Sequence, residues 1–294
     1  MKVFRRVVEL EGFSAAARDL GLSNAAVSKN VSELEAELGV RLLTRTTRRS
    51  SVTEAGEAYY RRCVRVLEEL DEARDEVAEL ANTPRGTLRI TAPVSFGLTH
   101  LSPVIPAFLE RYPSLKLDLV LNDRVVDLVD EGFDLALRGG GELSDSGLVV
   151  RKLAPIRRVV CSAPAYFESR PVPKQPSDLA EHECLIYSLS SSPRQWTFVH
   201  DGGELTVRVD GRYHVNSSIA LKHAALAGLG LGLIPTYLVG PELRRGELVA
   251  VLPRFRPAPQ SLYALHPHRQ YVPHKTRSFI DFLSATFGAK PYWD

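Results

Sequence analysis

Asn24, Ala25, Ser28, Lys29 and Ser32 set an amide, two hydroxyls and an ammonium within a few residues of one another. On a helix that begins after Ser23, Ala25, Ser28, Lys29 and Ser32 lie away from Val27, Val31, Leu34 and Leu38, whose 4, 3, 4 spacing marks a buried stripe, and Asn24 stands in the first turn. The opposite face is therefore slim and polar, with one cation. A helix entering a major groove needs that combination: small side chains for close approach and hydrogen-bonding groups for base edges and phosphates. Downstream, "GVRLLTRTTRRSSVTEAG" carries Arg41, Arg45, Arg48 and Arg49, with no acidic residue between Glu37 and Glu54. A β-rich Thr/Arg stretch beside such a helix suits a wing that contacts phosphates. A plain helical hairpin accounts for the alanines of "SAAARDLGL", but not for the polar tip.

The elements that must position these groups follow from local signals. Ser14 reads as the N-cap of a first helix containing Ala15, Ala16 and Ala17, and Gly21 stands where that helix would end in a left-handed residue. Ser23 reads as the cap of the second helix, and Thr53 as the cap of a long charged helix over 57–82. In that helix Tyr60, Cys63, Leu67, Leu70, Arg74, Val77 and Ala81 keep a 3, 4 heptad spacing, interrupted in character by Arg74. Two readings fit: a two-fold seam that sets two recognition helices on successive major grooves, or a helix packed on its own C-terminal domain.

"NTPRG" ends the long helix, because Pro and Gly are poor interior residues. Beyond it, strand-like pieces ("TLRITA", "LKLDLVL", "FDLALR") alternate with helix-like ones ("LSPVIPAFLERYP", "DRVVDLVDEG"). Alternation of this kind predicts βαβ units and a mostly parallel sheet. The pattern restarts near Arg157 and closes with the strand "SLYALH" and the helix "KTRSFIDFLSATFG".

Composition narrows the classes. The 294 residues allow two or three domains, and a net charge of +2 makes any nucleic-acid role a matter of local charge. Three cysteines, Cys63, Cys161 and Cys184, with no CxxC pair, argue against a disulfide framework or zinc finger and fit a reducing cytoplasm. "MKVFRRVVELEG" has no signal-peptide core, and the run Ala224–Pro235 is far short of a bilayer span, so no membrane role is expected. GxSxG, HExxH and GxxxxGK[ST] are absent. "GLGLG" follows a helix and leads into apolar "LIP", the wrong order for a dinucleotide loop, and His266 and His268 read as a strand end. No enzyme, cofactor or metal is expected.

The stretch "AAARDLGLSNAAVSKNVSELEAELGVRLLTRTTRRSSVTEAG" resembles the N-terminal signature of LysR-type transcriptional regulators: the AA-x-x-L helix, the S-x-x-A-V-S recognition helix, the LE-x-x-LG end and the R-T-x-R…T-x-AG wing. "DLALRGGGELSDSGLVVRKL", "PSDLAEHECL", "VDGRYHVNSSIALKHAALAGLGLGLIP" and "GELVAVLP" are similar to that family's effector domain. The resemblance implies an all-α winged helix-turn-helix (1–56), a linker and dimerisation helix (57–83) and a two-lobed, periplasmic-binding-protein-like α/β effector domain (84–294). Lobe I would take about 87–156 and 265–294, and lobe II about 157–264. It assigns DNA contact to Asn24, Ala25, Ser28, Lys29, Arg45, Arg48 and Arg49, with Ser32 on the same face, and dimerisation to Tyr60, Cys63, Leu67, Leu70 and Val77. Its implied partners are operator DNA, a small-molecule effector and further copies of the chain, as a dimer or homotetramer. Asn24 stands where the family often has Gln, and Lys29 where it often has Arg, so base preference is expected to differ. Family members usually have several more residues ahead of "VFRRVVELEGFS", so the natural start is expected upstream of Met1.

With lobe crossings near Pro155–Arg158 and Gln260–Leu265, the cleft faces the C-terminal ends of strands, where α/β sheets bind ligands. Ser95, Phe96, Asn122 and Arg138 are expected to line it from lobe I. Asn216 and Ser218, with Trp196 as an apolar wall, are expected from lobe II. Two opposed helix starts, at "PVSFG" and "HVNSS", favour a small anion such as a carboxylate. The rival class is a small-molecule binding protein, or a hydrolase with an unrecognised site, carrying an ancillary helical N-terminus.

Overall fold

The computed structural model describes residues 1–45, 50–78, 84–141, 148–267 and 272–293. It divides into two compact units, Met1–Asn82 and Thr83–Asp294.

The first unit is built on α1 (Lys2–Glu9), α2 (Phe13–Leu20) and α3 (Asn24–Leu38), then a hairpin of β1 (Leu43–Arg45) and β2 (Ser50–Val52), then α4 (Glu54–Ala78). Gly21 takes φ 65°, the left-handed turn that a side chain would strain, and Ser23 Oγ accepts the Ala26 amide at 3.1 Å. Ser14 does not cap α2: the helix begins at Phe13, with Gly12 in the cap position. Val27, Val31 and Leu34 are buried with Phe4, Val7, Ala16 and Ala17. Leu38, expected in that stripe, is 40% exposed, because α3 ends there and the chain turns away at Gly39. Thr53 Oγ1 accepts the Gly56 amide at 2.9 Å and so caps α4, which starts three residues ahead of the expected 57. Gly56 is required by contact: a Cβ there would stand 2.1 Å from the Leu42 carbonyl oxygen.

The second unit carries two five-stranded sheets among its described residues. The first has order β4-β3-β5-β15-β6, from β3 (Gly86–Ala92), β4 (Leu115–Leu121), β5 (Leu135–Gly140), β6 (Leu148–Ile156) and β15 (Gln260–Pro267). The second has order β11-β8-β12-β7-β13, from β7 (Arg158–Ser162), β8 (Cys184–Tyr187), β11 (Tyr213–Val215), β12 (Leu231–Pro235) and β13 (Val249–Val251). A small antiparallel sheet of β9 (Gln195–His200), β10 (Gly203–Arg208) and β14 (Arg256–Pro257) covers the second lobe. The sheets are mixed where a mostly parallel one was expected. β3 runs parallel to β4 and β5, but β15 is antiparallel to β5 and β6, because the chain returns from the other lobe to re-enter the sheet. The crossings fall at Arg157 and between β14 and β15, so Gln260 onward belongs to the first sheet.

After β3 a helical stretch runs through α5 (Val94–Phe96), a π-turn (Gly97–Leu101), a 3-10 turn (Ser102–Val104) and α6 (Ile105–Arg111). The second lobe adds α7 (Ser218–Leu226) and α8 (Thr236–Arg245), and α9 (His274–Phe287) returns to the first. One apolar core joins Leu88, Ile90, Leu135 and Phe279 of the first lobe to Leu185, Leu221 and Ile234 of the second. "DRVVDLVDEG", read as a helix, forms turns instead. Asn122 Oδ1 accepts the Arg124 amide, and Asp127 Oδ1 accepts those of Val129 and Asp130, all at 2.9 Å. Side-chain acceptors at these positions take amides that a helix would have used. "GLGLG" runs from the turn after α7, with Gly228 at φ 68°, into the first residues of β12.

Candidate nucleic-acid interface and interlobe cleft

On α3, Asn24, Ala25, Lys29 and Ser32 are exposed and Ser28 is half-buried. Ala25, Ser28, Lys29 and Ser32 lie on the side away from Val27, Val31 and Leu34, and Asn24 stands exposed at the first position of the helix, beside that face. Asn24 Nδ2 donates to Ser14 Oγ at 3.1 Å, which ties the amide to the start of α2. The Lys29 ammonium lies 3.7 Å from the Glu33 carboxylate with 75% of its side chain exposed. A pair so open to water holds the lysine weakly and leaves it available to a phosphate. Arg45 ends β1 opposite Ser50, whereas Arg48 and Arg49 lie outside the described residues. Glu35, which no sequence pattern marked, fastens the wing: its Oε1 accepts the Leu42 and Leu43 amides at 2.8 and 3.0 Å. Its partners are backbone groups and leave no trace in residue types.

The expected seam on α4 divides. Cys63 is buried in the unit's own core beside Phe4 and Val31, and Tyr60 packs against that core, so both serve this fold first. Leu67 is buried, while Leu70 is 45% and Val66 47% exposed. Among the described side chains of α4, the exposed large apolar ones are Val66 and Leu70, one turn apart. Val77 falls within α4, but its side chain lies outside the described set.

At the lobe junction, Asp123 follows β4 and its Oδ1 accepts the Val94 amide at 3.0 Å. The start of the helical stretch is thus met by the protein's own carboxylate. Likewise Ser217, not Ser218, caps α7 through the Ala220 amide at 3.4 Å, with Asn216 exposed just ahead of it. At each of the two helix starts that suggested an anion, one amide is therefore taken by the protein's own side chain. Ser95 is buried, and its Oγ lies 3.0 Å from the Tyr237 hydroxyl, a hydrogen bond that joins α5 of one lobe to α8 of the other. Ser218 hydrogen-bonds Tyr187 at the end of β8. Arg138 donates through Nη1 to the Leu137 carbonyl at 2.8 Å, and through Nη2 to Thr91 Oγ1 at 3.1 Å and the Arg124 carbonyl at 3.3 Å.

Electrostatics tie these groups together. Burial draws the Arg138 guanidinium below its ordinary range, and the Asp123 carboxylate opposes that. Burial raises Asp123, against the Val94 amide and Arg138. Burial also pushes the phenols of Tyr187 and Tyr237 up to about 12, with Asp123 adding to both, so both are neutral at pH 7. Ser95, Arg138 and Ser218 thus join one polar cluster with Asp123, Tyr187 and Tyr237, which sequence reasoning missed. Asn122 is a half-buried turn residue beside it. Phe96 and Trp196 are corrections. Phe96 is packed in the aromatic core against Tyr237, Phe287 and Trp293, and Trp196 is buried in the second lobe's own core with Phe198. Both side chains are taken up by core packing.

A winged helix-turn-helix with a small polar groove face, together with a two-lobed α/β domain, is the architecture of a ligand-responsive DNA-binding regulator. Residues 1–57 match the bacterial regulatory helix-turn-helix protein, lysR family, and residues 81–288 match the LysR substrate binding domain. The chain belongs to the LysR-type transcriptional regulators. It is 39% identical over 289 residues to the HTH-type transcriptional regulator PtxR of Pseudomonas aeruginosa, covering 98% of this chain and 92% of that protein. It is 36% identical over 287 residues to the HTH-type transcriptional activator AaeR of Escherichia coli, covering 98% and 93%. Among solved structures it resembles CrgA of Neisseria meningitidis, with TM-score 0.63, 34% identity and coverage of 98% and 97%. It also resembles full-length AphB of Vibrio cholerae, with TM-score 0.63, 29% identity and 97% coverage of both chains. Among the described residues no helix is long and apolar enough to cross a membrane.

Proposed function

We propose that the chain reads operator DNA in the cytoplasm through Asn24, Ala25, Ser28, Lys29 and Ser32, with the wing arginines Arg45, Arg48 and Arg49 on phosphates. It acts as a homodimer or homotetramer whose open apolar contact includes Val66 and Leu70, and it carries no catalytic step. The observation that supports the reading face is its composition: one exposed helix side with hydroxyls, an amide and a weakly held ammonium, and no bulky residue to bar the groove. A gel shift with the intergenic DNA upstream of the chain's own gene tests it. Binding that weakens with salt and exceeds that to scrambled DNA is expected, and salt-insensitive or absent binding by the intact oligomer contradicts it.

The effector binds at the Ser95–Tyr237 junction and is a net-neutral or zwitterionic molecule with both donors and acceptors. This revises the expectation of a simple anion. Asp123 already meets the Val94 amide and offsets Arg138, and the remaining groups are neutral hydroxyls. Isothermal titration with organic acids and their amide or alcohol analogues separates the two. Tighter binding of the acids would restore the anion. Effector binding shifts the lobe arrangement only through unequal affinity for two states.

A further inference from the structure

Trp293 is buried although it lies at the end of the described chain. Its indole packs against Phe96, His100, Phe287 and Tyr237, with centroids 5.7, 4.6, 5.3 and 6.4 Å away. Phe96, His100 and Phe287 belong to the first lobe, and Tyr237 to α8 of the second. The tail also bonds. His100 Nε2 lies 3.1 Å from the Tyr237 carbonyl oxygen, and Nδ1 lies 2.7 Å from the Tyr292 hydroxyl. A carbonyl only accepts, so Nε2 carries the proton and Nδ1 accepts from Tyr292. The Trp293 carbonyl stands 3.5 Å from where a Cβ on Gly240 of α8 would be. The indole Nε1 is buried with no acceptor among the described residues. That is a standing cost which a rearrangement would relieve, and it marks the contact as one held by shape.

We propose that residues 289–293 form a strap that holds α8 of the second lobe against the helical stretch of the first, and that Tyr237 couples this strap to the cleft. Tyr237 touches both sides. Its hydroxyl meets Ser95, its carbonyl accepts from His100, and its ring meets Phe96 edge-on at 5.6 Å. A ligand that takes the hydroxyl of Ser95 or Tyr237 removes one of the bonds fixing α8, and the strap then bears the lobe separation. The coupling rests on the cleft reading given above; the strap itself does not.

Hydrogen exchange on the full chain, without ligand, tests the strap through Trp293→Ala, Gly240→Leu and Tyr292→Phe. Gly240→Leu crowds the tail from the opposite lobe, and Tyr292→Phe removes only a hydroxyl. Exchange at 236–240 and 94–104 should accelerate about tenfold in the first two and a few-fold in the third, with β3 and β12 unchanged. Unchanged rates, or acceleration spread evenly over both lobes, would overturn the strap. If the two larger changes unfold the domain, unchanged rates in folded Tyr292→Phe overturn it alone. For the coupling, Ser95→Ala in a Trp196→Phe background should shift Trp293 emission and speed exchange at 236–240. If neither moves while the strap variants respond, the strap stands and the coupling falls. A failed effector titration leaves both results in place.

Discussion

The reading face of α3 is a small polar surface and the interlobe cluster a small, largely buried polar network, and the two are assembled in opposite ways. The face is contiguous: Asn24 to Ser32 lie within nine residues, and helix periodicity alone sets them side by side. The cleft draws on Ser95, Asp123, Arg138, Tyr187, Ser218 and Tyr237, gathered from six elements or turns by two crossings of the chain. Sequence periodicity carries the first kind of site and not the second. The cost of error differs as well. A substitution at exposed Lys29 or Ser32 meets mostly solvent, whereas one at Ser95 or Tyr237 alters a bond between lobes.

The largest effect expected on this contrast is at the face. Ser28→Ala with Lys29→Ala should lower specific operator affinity about a thousandfold, at about 1–3 kcal/mol per base-edge contact and with two copies in a dimer. Self-association by sedimentation should stay the same. A loss of self-association would show that the two surfaces are not separate. Next is Gly56→Ala, which sets a methyl against the Leu42 carbonyl and should destabilise the N-terminal unit by about 2–3 kcal/mol in denaturant melts. An unchanged midpoint would mean that α4 shifts freely away from the wing.

In the cleft, Tyr237→Phe should cost about 1 kcal/mol of effector-domain stability, because Ser95 loses its partner, and should change the effector response. DNA affinity without effector measures how far the two sites are independent. The smallest effect is in pH. Burial draws His100 below its ordinary 6.5, so the unfolded chain takes a proton that the folded one resists. Stability from this group is therefore full above about pH 6.5 and falls as pH drops further. His182 acts in the same direction, with burial as its main cause. Melting from pH 7.5 to 5.5 should show a shallower decline in His100→Phe than in the parent, and equal slopes would remove His100 from the account.

Local signals read well where they had no competitor. The Ser23 cap, the Gly21 turn, the Thr53 cap and the stripe through Leu34 follow from residue type and spacing. They misled where a side chain had a second use. Asn122 and Asp127 turned an apparently amphipathic segment into Asx turns. Cys63 and Tyr60 fit a heptad but are spent on the N-terminal core, which leaves Val66 and Leu70 outside. Phe96 and Trp196 have the size of a ligand wall and serve as core. Asp123 and Tyr237 gave no signal, because each acquires its role from a partner far away in sequence.

Selection from random-sequence DNA by the full chain tests the central claim most directly. The parent should enrich a site with two related halves about one helical turn apart, or a multiple of that spacing, and the Ser28→Ala, Lys29→Ala variant should enrich none while still binding DNA weakly in low salt. Enrichment of the same site by the variant, or no enrichment by the parent, would contradict the assignment of α3 as the reader.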